Sequence, residues 1–241
     1  MNIAIVNTAG ATGKTTLAKH LFAPLMRAMR IQIETMNSSD GTPDISLSAK
    51  KFLGLAGELS MYPDTVNFVI DIGSSNLEGM IKHFSQLEET KNSIDFWIIP
   101  VSPDEKTRLD SINTVEILRN MDIPAQKIVM ILNNIQDLDT VHDKFVNIFP
   151  LRHLGIHVVD EVVLESDIYD LLKYQDDSVF DLVNNPIDFK TLKKEALRNE
   201  DRTQIIALGK LQTLHQMAKF TSKNLRAVFD ASPLSEALIE F

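Results

Sequence analysis

The residues best suited to chemistry lie near the start of the chain, in a loop of small side chains that ends in Gly-Lys-Thr-Thr at positions 13–16. An apolar run at residues 1–6 precedes the loop, and a run of helix-forming residues at 17–23 follows it. A strand, a small-residue loop ending in Gly-Lys-Thr and a helix, in that order, are typical of a loop that binds phosphate groups. The alternative is a glycine-containing turn that holds no ligand.

Several residues of this loop have a predicted part in phosphate binding. Small residues let successive backbone N–H groups turn inward around a phosphate. We expect Lys14 to reach the terminal phosphates of a nucleotide and the Thr15 hydroxyl to bind Mg²⁺. Thr8 departs from the usual pattern, because it stands where a glycine is expected. The predicted binding set in the loop is Gly10, Ala11, Thr12, Gly13, Lys14, Thr15 and Thr16.

Two acidic residues at predicted strand ends join Lys14 in the predicted catalytic set. Asp71 lies near the end of the apolar run 66–73, and an acid there usually helps to hold Mg²⁺. Glu34 ends the second predicted strand, where a carboxylate can polarise an attacking water. Asp40 is a weaker substitute for Glu34. The alternatives are a turn or capping acid at position 71 and a surface charge at position 34.

Asn133 follows the apolar run at residues 127–132 and is the predicted contact for an adenine base. Asn134 is the neighbouring candidate for the same contact. Asparagine is also common in turns, where its amide bonds to nearby backbone, so a turn amide is the alternative. The six histidines show no spacing typical of metal ligands, and ordinary structural or surface roles are expected for them.

Strand-like and helix-like segments alternate along the first three quarters of the chain. Near-continuous apolar strands separated by helices predict an α/β fold with a mostly parallel sheet and helices on both faces. Ligands bind such sheets beyond the carboxyl ends of the strands, where the candidate polar residues lie. The predicted strands are 1–6, 31–35, 66–73, 96–101, 127–132 and 155–159, and the predicted helices are 17–23, 48–60, 76–86, 104–120, 141–149 and 164–172.

Beyond residue 176 the pattern becomes helical, with a break expected at residues 199–201. We therefore predict a nucleotide-binding α/β domain at 1–175 and a helical extension at 176–241. The segment 185–227 carries nine Lys/Arg against four Asp/Glu, whereas the whole chain has a net charge of −9. Such asymmetry indicates a basic surface on the C-terminal helices and argues against a globally basic protein.

Composition sets further limits on the chemistry of this 241-residue chain. The absence of cysteine excludes a disulfide, a zinc–thiolate site and a cysteine nucleophile. No apolar run approaches the roughly 20 residues of a membrane-spanning helix, and the chain opens as a core strand with no signal peptide. These features favour the cytoplasm.

The frame Thr8-Ala9-Gly10-Ala11-Thr12-Gly13-Lys14-Thr15-Thr16, with Asp71-Ile72-Gly73 after an apolar strand, resembles the MinD/ParA-type P-loop ATPases. Their deviant Walker motif has the form Gly-Lys-Gly-Gly-x-Gly-Lys-Thr-Thr. The opening and overall length further resemble plasmid stability proteins of the StbB type, a divergent branch of the ParA-like group. The resemblance to the superfamily covers about residues 1–175.

The resemblance implies ATP and Mg²⁺ as cofactors, with Lys14, Thr15 and Asp71 as their ligands. Glu34 falls where the family has an aspartate after its second strand. The family's lysine that crosses to the partner subunit's nucleotide falls at Ala9, which cannot supply that charge. Another basic residue then compensates, or hydrolysis is weak, or the nucleotide acts without a sandwich dimer.

The function implied is that of a ParA-like ATP-binding protein, a weak ATPase acting in plasmid stability or partition. It is expected to switch with nucleotide state, to self-associate as an ATP-dependent dimer, and to work with a plasmid-encoded DNA-binding partner. Nonspecific DNA contact is expected through residues 185–227. Two alternatives stay open: a non-hydrolysing nucleotide-binding adaptor, and a small-molecule ligase or kinase similar to dethiobiotin synthetase.

Overall fold

The computed structural model describes residues 1–34, 43–48, 52–63 and 65–240. Within them, seven strands form one sheet in the order β3-β2-β4-β1-β5-β6-β7, and every neighbouring pair is parallel. The parallel α/β architecture predicted from the sequence is therefore confirmed. The strands are β1 (Asn2–Ile5), β2 (Met29–Glu34), β3 (Ile45–Ser48), β4 (Phe68–Ile72), β5 (Phe96–Val101), β6 (Ile128–Leu132) and β7 (His157–Val158).

Helices connect the strands and continue beyond the last of them. Short 3₁₀ segments, among them Ser74–Asn76 and Phe149–Leu154, complete the connections. The α-helices are α1 (Lys14–Leu17), α2 (Ala23–Met26), α3 (Phe52–Met61), α4 (Leu77–Phe84), α5 (Glu88–Asn92), α6 (Glu105–Asn120), α7 (Val141–Lys144), α8 (Ile168–Leu171), α9 (Val179–Asn184), α10 (Phe189–Arg198), α11 (Arg202–Asp230) and α12 (Pro233–Glu240). A π-helical segment, Ala18–Phe22, joins α1 to α2.

Apolar side chains cover both faces of the sheet because successive residues of a strand point to opposite sides. Ala4 and Val6 belong to one buried cluster, together with Trp97. Ile3 and Ile5 belong to the other cluster, which lies against the first helix. Burial on both faces explains why the strands read as near-continuous apolar runs.

The C-terminal helices pack on the second of these clusters. Phe180 of α9 and Phe229 of α11 are buried there with Phe22. The predicted break lies between α10 and α11, where Glu200 has a positive φ of 53° and Asp201 caps the following helix. Residues 176–241 thus form an all-helical extension in the part described, and the domain boundary at 175 stays a prediction.

Several predicted elements need correction, and one strand was missed. The helix predicted over 48–60 begins at Phe52, and Ser48 lies in the short strand β3, which the sequence analysis missed. The helix predicted over 141–149 ends as α7 at Lys144. Pairing of β3 with β2 stabilises a four-residue strand that its own alternation of Ile or Leu with Ser signals only weakly. None of the helices in the described ranges is long and apolar enough to cross a membrane.

Candidate functional site

The candidate site lies at the centre of the sheet, where β1 is flanked by β4 on one side and β5 on the other. The loop that follows β1 lines a cavity of about 310 Å³. Crevices at such a reversal of strand order are the usual ligand sites of open parallel sheets. The lining residues are Gly10, Ala11, Thr12, Gly13, Lys14, Thr15, Thr16, Asp71, Gly73 and Ser74.

The backbone of the loop turns sharply at two positions. Gly13 has φ 87° and ψ 25°, the left-handed region that glycine enters at little cost, and Ala11 has φ 54°. The helix starts immediately after this turn, because Leu17 N donates to Gly13 O at 2.9 Å. The backbone conformation at position 13 therefore favours glycine, in agreement with the small residues predicted for this loop.

The side chain of Asn133 packs against this turn. Its Nδ2 donates to Thr12 O at 2.8 Å, and its side chain is almost completely buried. A Cβ built on Gly13 would lie 2.1 Å from the same Nδ2. The structure thus places Asn133 against the loop backbone and outside the residues that line the cavity. Its predicted contact with an adenine base stays a prediction.

Lys14 is buried at the base of the loop with 8% of its surface exposed. Its Nζ donates to Ala9 O at 2.8 Å and to Asn7 O at 3.5 Å. Two backbone carbonyls thus hold the ammonium group of Lys14 at this position. It lines the cavity and is placed to exchange a carbonyl for an anionic ligand atom.

Thr15 and Asp71 meet across the cavity. The Thr15 hydroxyl donates to Asp71 Oδ2 at 2.6 Å, and Asp71 is 2% exposed at the end of β4. A hydroxyl and a carboxylate side by side are the hard oxygen ligands that Mg²⁺ prefers. The donor set present here therefore fits the predicted metal. Among the described residues, no group of three or more His, Cys, Asp or Glu side chains is placed to hold a metal ion.

The remaining predicted residues are placed less completely. Thr12 and Thr16 line the cavity, and the Thr12 Oγ1 is buried without a hydrogen-bond partner. Glu34 ends β2 one residue beyond Ile33, which pairs with Ile72, so its backbone lies at the same sheet edge as Asp71. The side chain of Glu34 and the whole of Asp40 lie outside the described part of the chain.

The first half of the loop is fixed by residues that the sequence analysis missed. On the inner face of α6, Asn7 bonds to Ser111 and Thr8 bonds to Thr114. Both α6 residues are fully buried. Thr8 is not among the residues with positive φ, so its backbone does not require the glycine that the usual pattern has there. No spacing rule links positions 7 and 114, and only the fold brings them together.

A smaller cavity of about 110 Å³ adjoins the loop at Thr15 and Thr16. His20 and Tyr169 meet there with ring centroids 5.5 Å apart. Burial, with the charges of Lys19 and Arg30 as smaller causes, lowers the pKa of His20 to about 3, so its ring is neutral. His20 Nδ1 accepts a hydrogen bond from Val179 N at 3.3 Å. The histidine therefore links the π-helical segment Ala18–Phe22 to α9, which is a structural role.

Helix α10 carries a basic ridge. Lys190, Lys194 and Arg198 recur at a spacing of four residues, which places them on one face, and all three are exposed. Hydrogen bonds from the Thr191 side chain and backbone to Asp188, the N-cap of α10, are the largest causes that lower the pKa of that carboxyl. A basic ridge of this kind is the electrostatic feature that the composition of 185–227 predicted.

Comparison with solved structures places the fold. McdA from Cyanothece, in complex with ATP, has a TM-score of 0.52 and 13% identity and covers 95% of both chains. MinD from Aquifex aeolicus has a TM-score of 0.51 and 15% identity over 75% of this chain and 89% of that one. A Borrelia burgdorferi B31 protein described as a plasmid partition protein, bound to AMPPNP, has a TM-score of 0.50 and 11% identity, covering 88% and 97%.

No protein-family model and no curated protein sequence matches the chain. At identities this low, the structural likeness establishes the fold alone. The chain has the α/β fold of P-loop NTPases, which it shares with the McdA, MinD and plasmid partition structures.

Proposed function

We propose that the chain is a ParA-like ATP-binding protein that holds the triphosphate in the loop at residues 7–16. The observation that carries the proposal is the meeting of Lys14, Thr15 and Asp71 at the cavity lined by this loop. A buried cation, a hydroxyl and a carboxylate at the carboxyl edge of a parallel sheet form the chemical set that binds a metal-complexed phosphate chain. A bare strand-to-helix turn has no need for this set.

Each residue has a separate part in the proposed complex. Lys14 binds phosphate oxygens in exchange for the carbonyls of Asn7 and Ala9. Thr15 and Asp71 hold Mg²⁺, which when bound neutralises part of the phosphate charge. Glu34, at the adjacent strand end, orients a water for slow hydrolysis.

Weak hydrolysis follows from the residue at position 9. Ala9 is 5% exposed, and its carbonyl is occupied by Lys14. A buried methyl group supplies no positive charge to a second nucleotide across a dimer. We therefore propose a nucleotide-dependent switch with low turnover, in which contacts made only in one nucleotide state shift an association equilibrium.

The biological role we propose is plasmid stability or partition in the cytoplasm, together with a plasmid-encoded DNA-binding partner. The support is the fold shared with MinD, a cell division protein, and with the plasmid partition protein that binds AMPPNP. The basic ridge of α10 is the proposed site of nonspecific DNA contact, because clustered Lys/Arg on one helix face bind phosphate backbones.

Solution mass tests the switch. Light scattering is measured with Mg-ATP, with Mg-ADP and without nucleotide, on the wild type and on Lys14→Ala. We expect Mg-ATP alone to raise the mass of the wild type toward twice the 27.1 kDa of one chain, and to leave Lys14→Ala unchanged. A mass that does not change, although ATP binding is measured in the same sample, contradicts the dimer switch.

A non-hydrolysing adaptor is the second candidate, and the burial of Ala9 favours it. In that case ATP is retained without release of phosphate, even when partner and DNA are present. Phosphate release measured beside the mass therefore separates the two candidates: release in the wild type and none in Lys14→Ala supports the ATPase, and tight retention without release supports the adaptor.

A further inference from the structure

The loop is tied to helix α6 by a set of buried hydrogen bonds that we call the α6 clamp, formed by Asn7, Thr8, Ser111 and Thr114. Ser111 and Thr114 lie one turn apart on the inner face of α6 and have no exposed surface. Hydroxyl groups buried to this extent need partners, because an unpaired polar group in the interior is costly. Each hydroxyl donates to a carbonyl one turn back on α6, Ser111 to Thr107 O at 2.7 Å and Thr114 to Asp110 O at 2.8 Å. Each hydroxyl oxygen in turn accepts a hydrogen bond from the segment that begins the phosphate-binding loop.

Thr8 contributes both its backbone and its side chain to the clamp. Its N–H donates to Thr114 Oγ1 at 3.0 Å, and its hydroxyl donates to Asp110 O at 2.8 Å. A glycine at position 8 lacks the hydroxyl and makes only the first of these bonds. The departure from the usual pattern therefore adds an attachment between the loop and α6.

Asn7 contributes its amide. Nδ2 donates to Pro100 O and to Ser111 Oγ, each at 2.8 Å, and Oδ1 accepts from Ala9 N at 2.8 Å. Both hydrogens of the amide and its oxygen are thus engaged. The amide joins three parts of the fold: the end of β5, the inner face of α6 and the backbone of the loop.

The clamp fixes the two carbonyls on which Lys14 rests. These carbonyls belong to Asn7 and Ala9, the first and last residues of the segment that the clamp holds. Movement of this segment would carry away the support of the ammonium group and change its distance from the cavity. The position of Lys14 therefore depends on side chains more than 90 residues further along the chain.

We propose that Asn7 and Thr114 are positioning residues. Through the α6 clamp they set the position of the Lys14 ammonium group relative to the phosphate cavity. The inference rests on the proposed function for its ligand. It does not make either side chain a direct contact of the nucleotide. Helix α6 thereby becomes the element through which the geometry of the loop is set.

Thr114→Val tests the clamp, because valine keeps the shape of threonine and removes the hydroxyl. We expect about tenfold weaker binding of Mg-ATPγS, and recovery to within about twofold in Thr114→Ser, which restores a hydroxyl. Thr107→Val is the matched control: it lies on the same helix, and its hydroxyl bonds to Ser102 and Asp104 and not to the loop. Its affinity should equal that of the wild type.

A second readout needs no ligand. Amide hydrogen exchange at Thr8 and Ala9 should accelerate at least tenfold in Thr114→Val and stay unchanged in Thr107→Val, because only the first variant removes the acceptor of Thr8 N–H. If Thr114→Val does not fold, Ser111→Ala, which removes one partner of the Asn7 amide, is measured in its place.

The two readouts separate failure of this inference from failure of the proposed function. Affinity and exchange in Thr114→Val that both match Thr107→Val overturn the positioning role, whatever the ligand. If the wild-type protein binds no Mg-ATPγS, the proposed function is overturned, and Lys14 is not positioned for a nucleotide. Accelerated exchange at Thr8 and Ala9 in Thr114→Val would still show that the α6 clamp holds the loop.

Discussion

Gly13 lies where the loop turns into the first helix, and its position admits no side chain. Its φ of 87° is unfavourable for other residues, and an added Cβ would lie 2.1 Å from Asn133 Nδ2. Gly13→Ala should therefore displace Asn133 or the loop. We expect a loss of roughly 1–3 kcal/mol of unfolding free energy and loss of nucleotide binding. Urea unfolding and a binding titration measure the two effects.

Gly10 supplies the matched control for stability. A Cβ there would have Ser74 Oγ as its nearest neighbour at 3.9 Å, an ordinary contact, and its φ is not positive. Gly10→Ala should leave the unfolding free energy within about 0.5 kcal/mol of the wild type. Equal losses of unfolding free energy in the two variants would show that the turn at position 13 does not require glycine.

His20 gives the protein a predictable dependence on pH. Burial lowers its pKa to about 3 in the folded state, whereas the unfolded chain has a pKa near 6.5. Below about pH 6.5 the unfolded state therefore binds a proton that the folded state does not, and stability is lost as the pH falls toward 3. Between pH 7 and 5.5 the expected loss from this residue is about 1 kcal/mol.

His20→Asn removes the titrating group and keeps an acceptor for Val179 N. Urea unfolding at pH 7 and at pH 5.5 should show a smaller loss on acidification in this variant than in the wild type. Parallel losses in both proteins would mean that His20 is protonated in the folded state or that other groups account for the change.

The grouping of Lys14, Thr15 and Asp71 at one cavity was predictable because it follows from local sequence. Residue type, position after a strand and the order strand–loop–helix suffice to group them at one sheet edge. The contacts of Asn7 with Ser111, and of Asn133 with Thr12, span more than 100 residues and follow no local pattern. They form because β5, β6 and α6 pack beside the loop, and this packing is visible only in the three-dimensional fold.

Helix α10 carries its own prediction. Lys190, Lys194 and Arg198 are exposed along one face of the helix, and none of them lines the cavity. Replacing all three by Glu should weaken DNA binding. The negative slope of log affinity against log salt concentration should become less steep by about 3, since each phosphate contact contributes roughly 0.9 to its magnitude. Fluorescence anisotropy of a labelled duplex at several salt concentrations measures the slope.

The control variant changes the same number of charges on a different surface of the protein. Lys82, Lys106 and Lys144 are exposed on helices of the α/β part, and their replacement by Glu alters the net charge by the same amount. Equal losses in the two triple variants would assign DNA binding to overall charge and not to the ridge on α10.

Helices and strands were predictable where periodicity was long, as in β5, β6 and α6. The short strand β3 was missed because Ile45-Ser46-Leu47-Ser48 offers only two apolar residues, and its pairing with β2 supplies the rest of its stability. The interruption of the first helix by the π-helical segment Ala18–Phe22 is likewise not signalled by periodicity, although Pro24, which has no N–H to donate, follows it closely.

The whole molecule joins the site to both the sheet and the C-terminal helices. The loop follows the central strand β1, and the helix behind it packs on α11 through Phe22 and Phe229. Residues 185–227 are basic although the chain has a net charge of −9. The architecture therefore places a candidate nucleotide site and a basic helical surface on one packed body, which is compatible with the proposed nucleotide-dependent switch.

Calorimetric titration of Mg-ATP into the wild type and into Lys14→Ala tests the nucleotide site most directly. We expect one site per chain in the wild type. In Lys14→Ala the affinity should fall at least roughly tenfold, because a charge-assisted hydrogen bond contributes about 1.5–3 kcal/mol. Matching circular dichroism of the two proteins excludes unfolding. Absence of binding in the wild type, or equal affinity in the variant, would contradict the assignment of the loop.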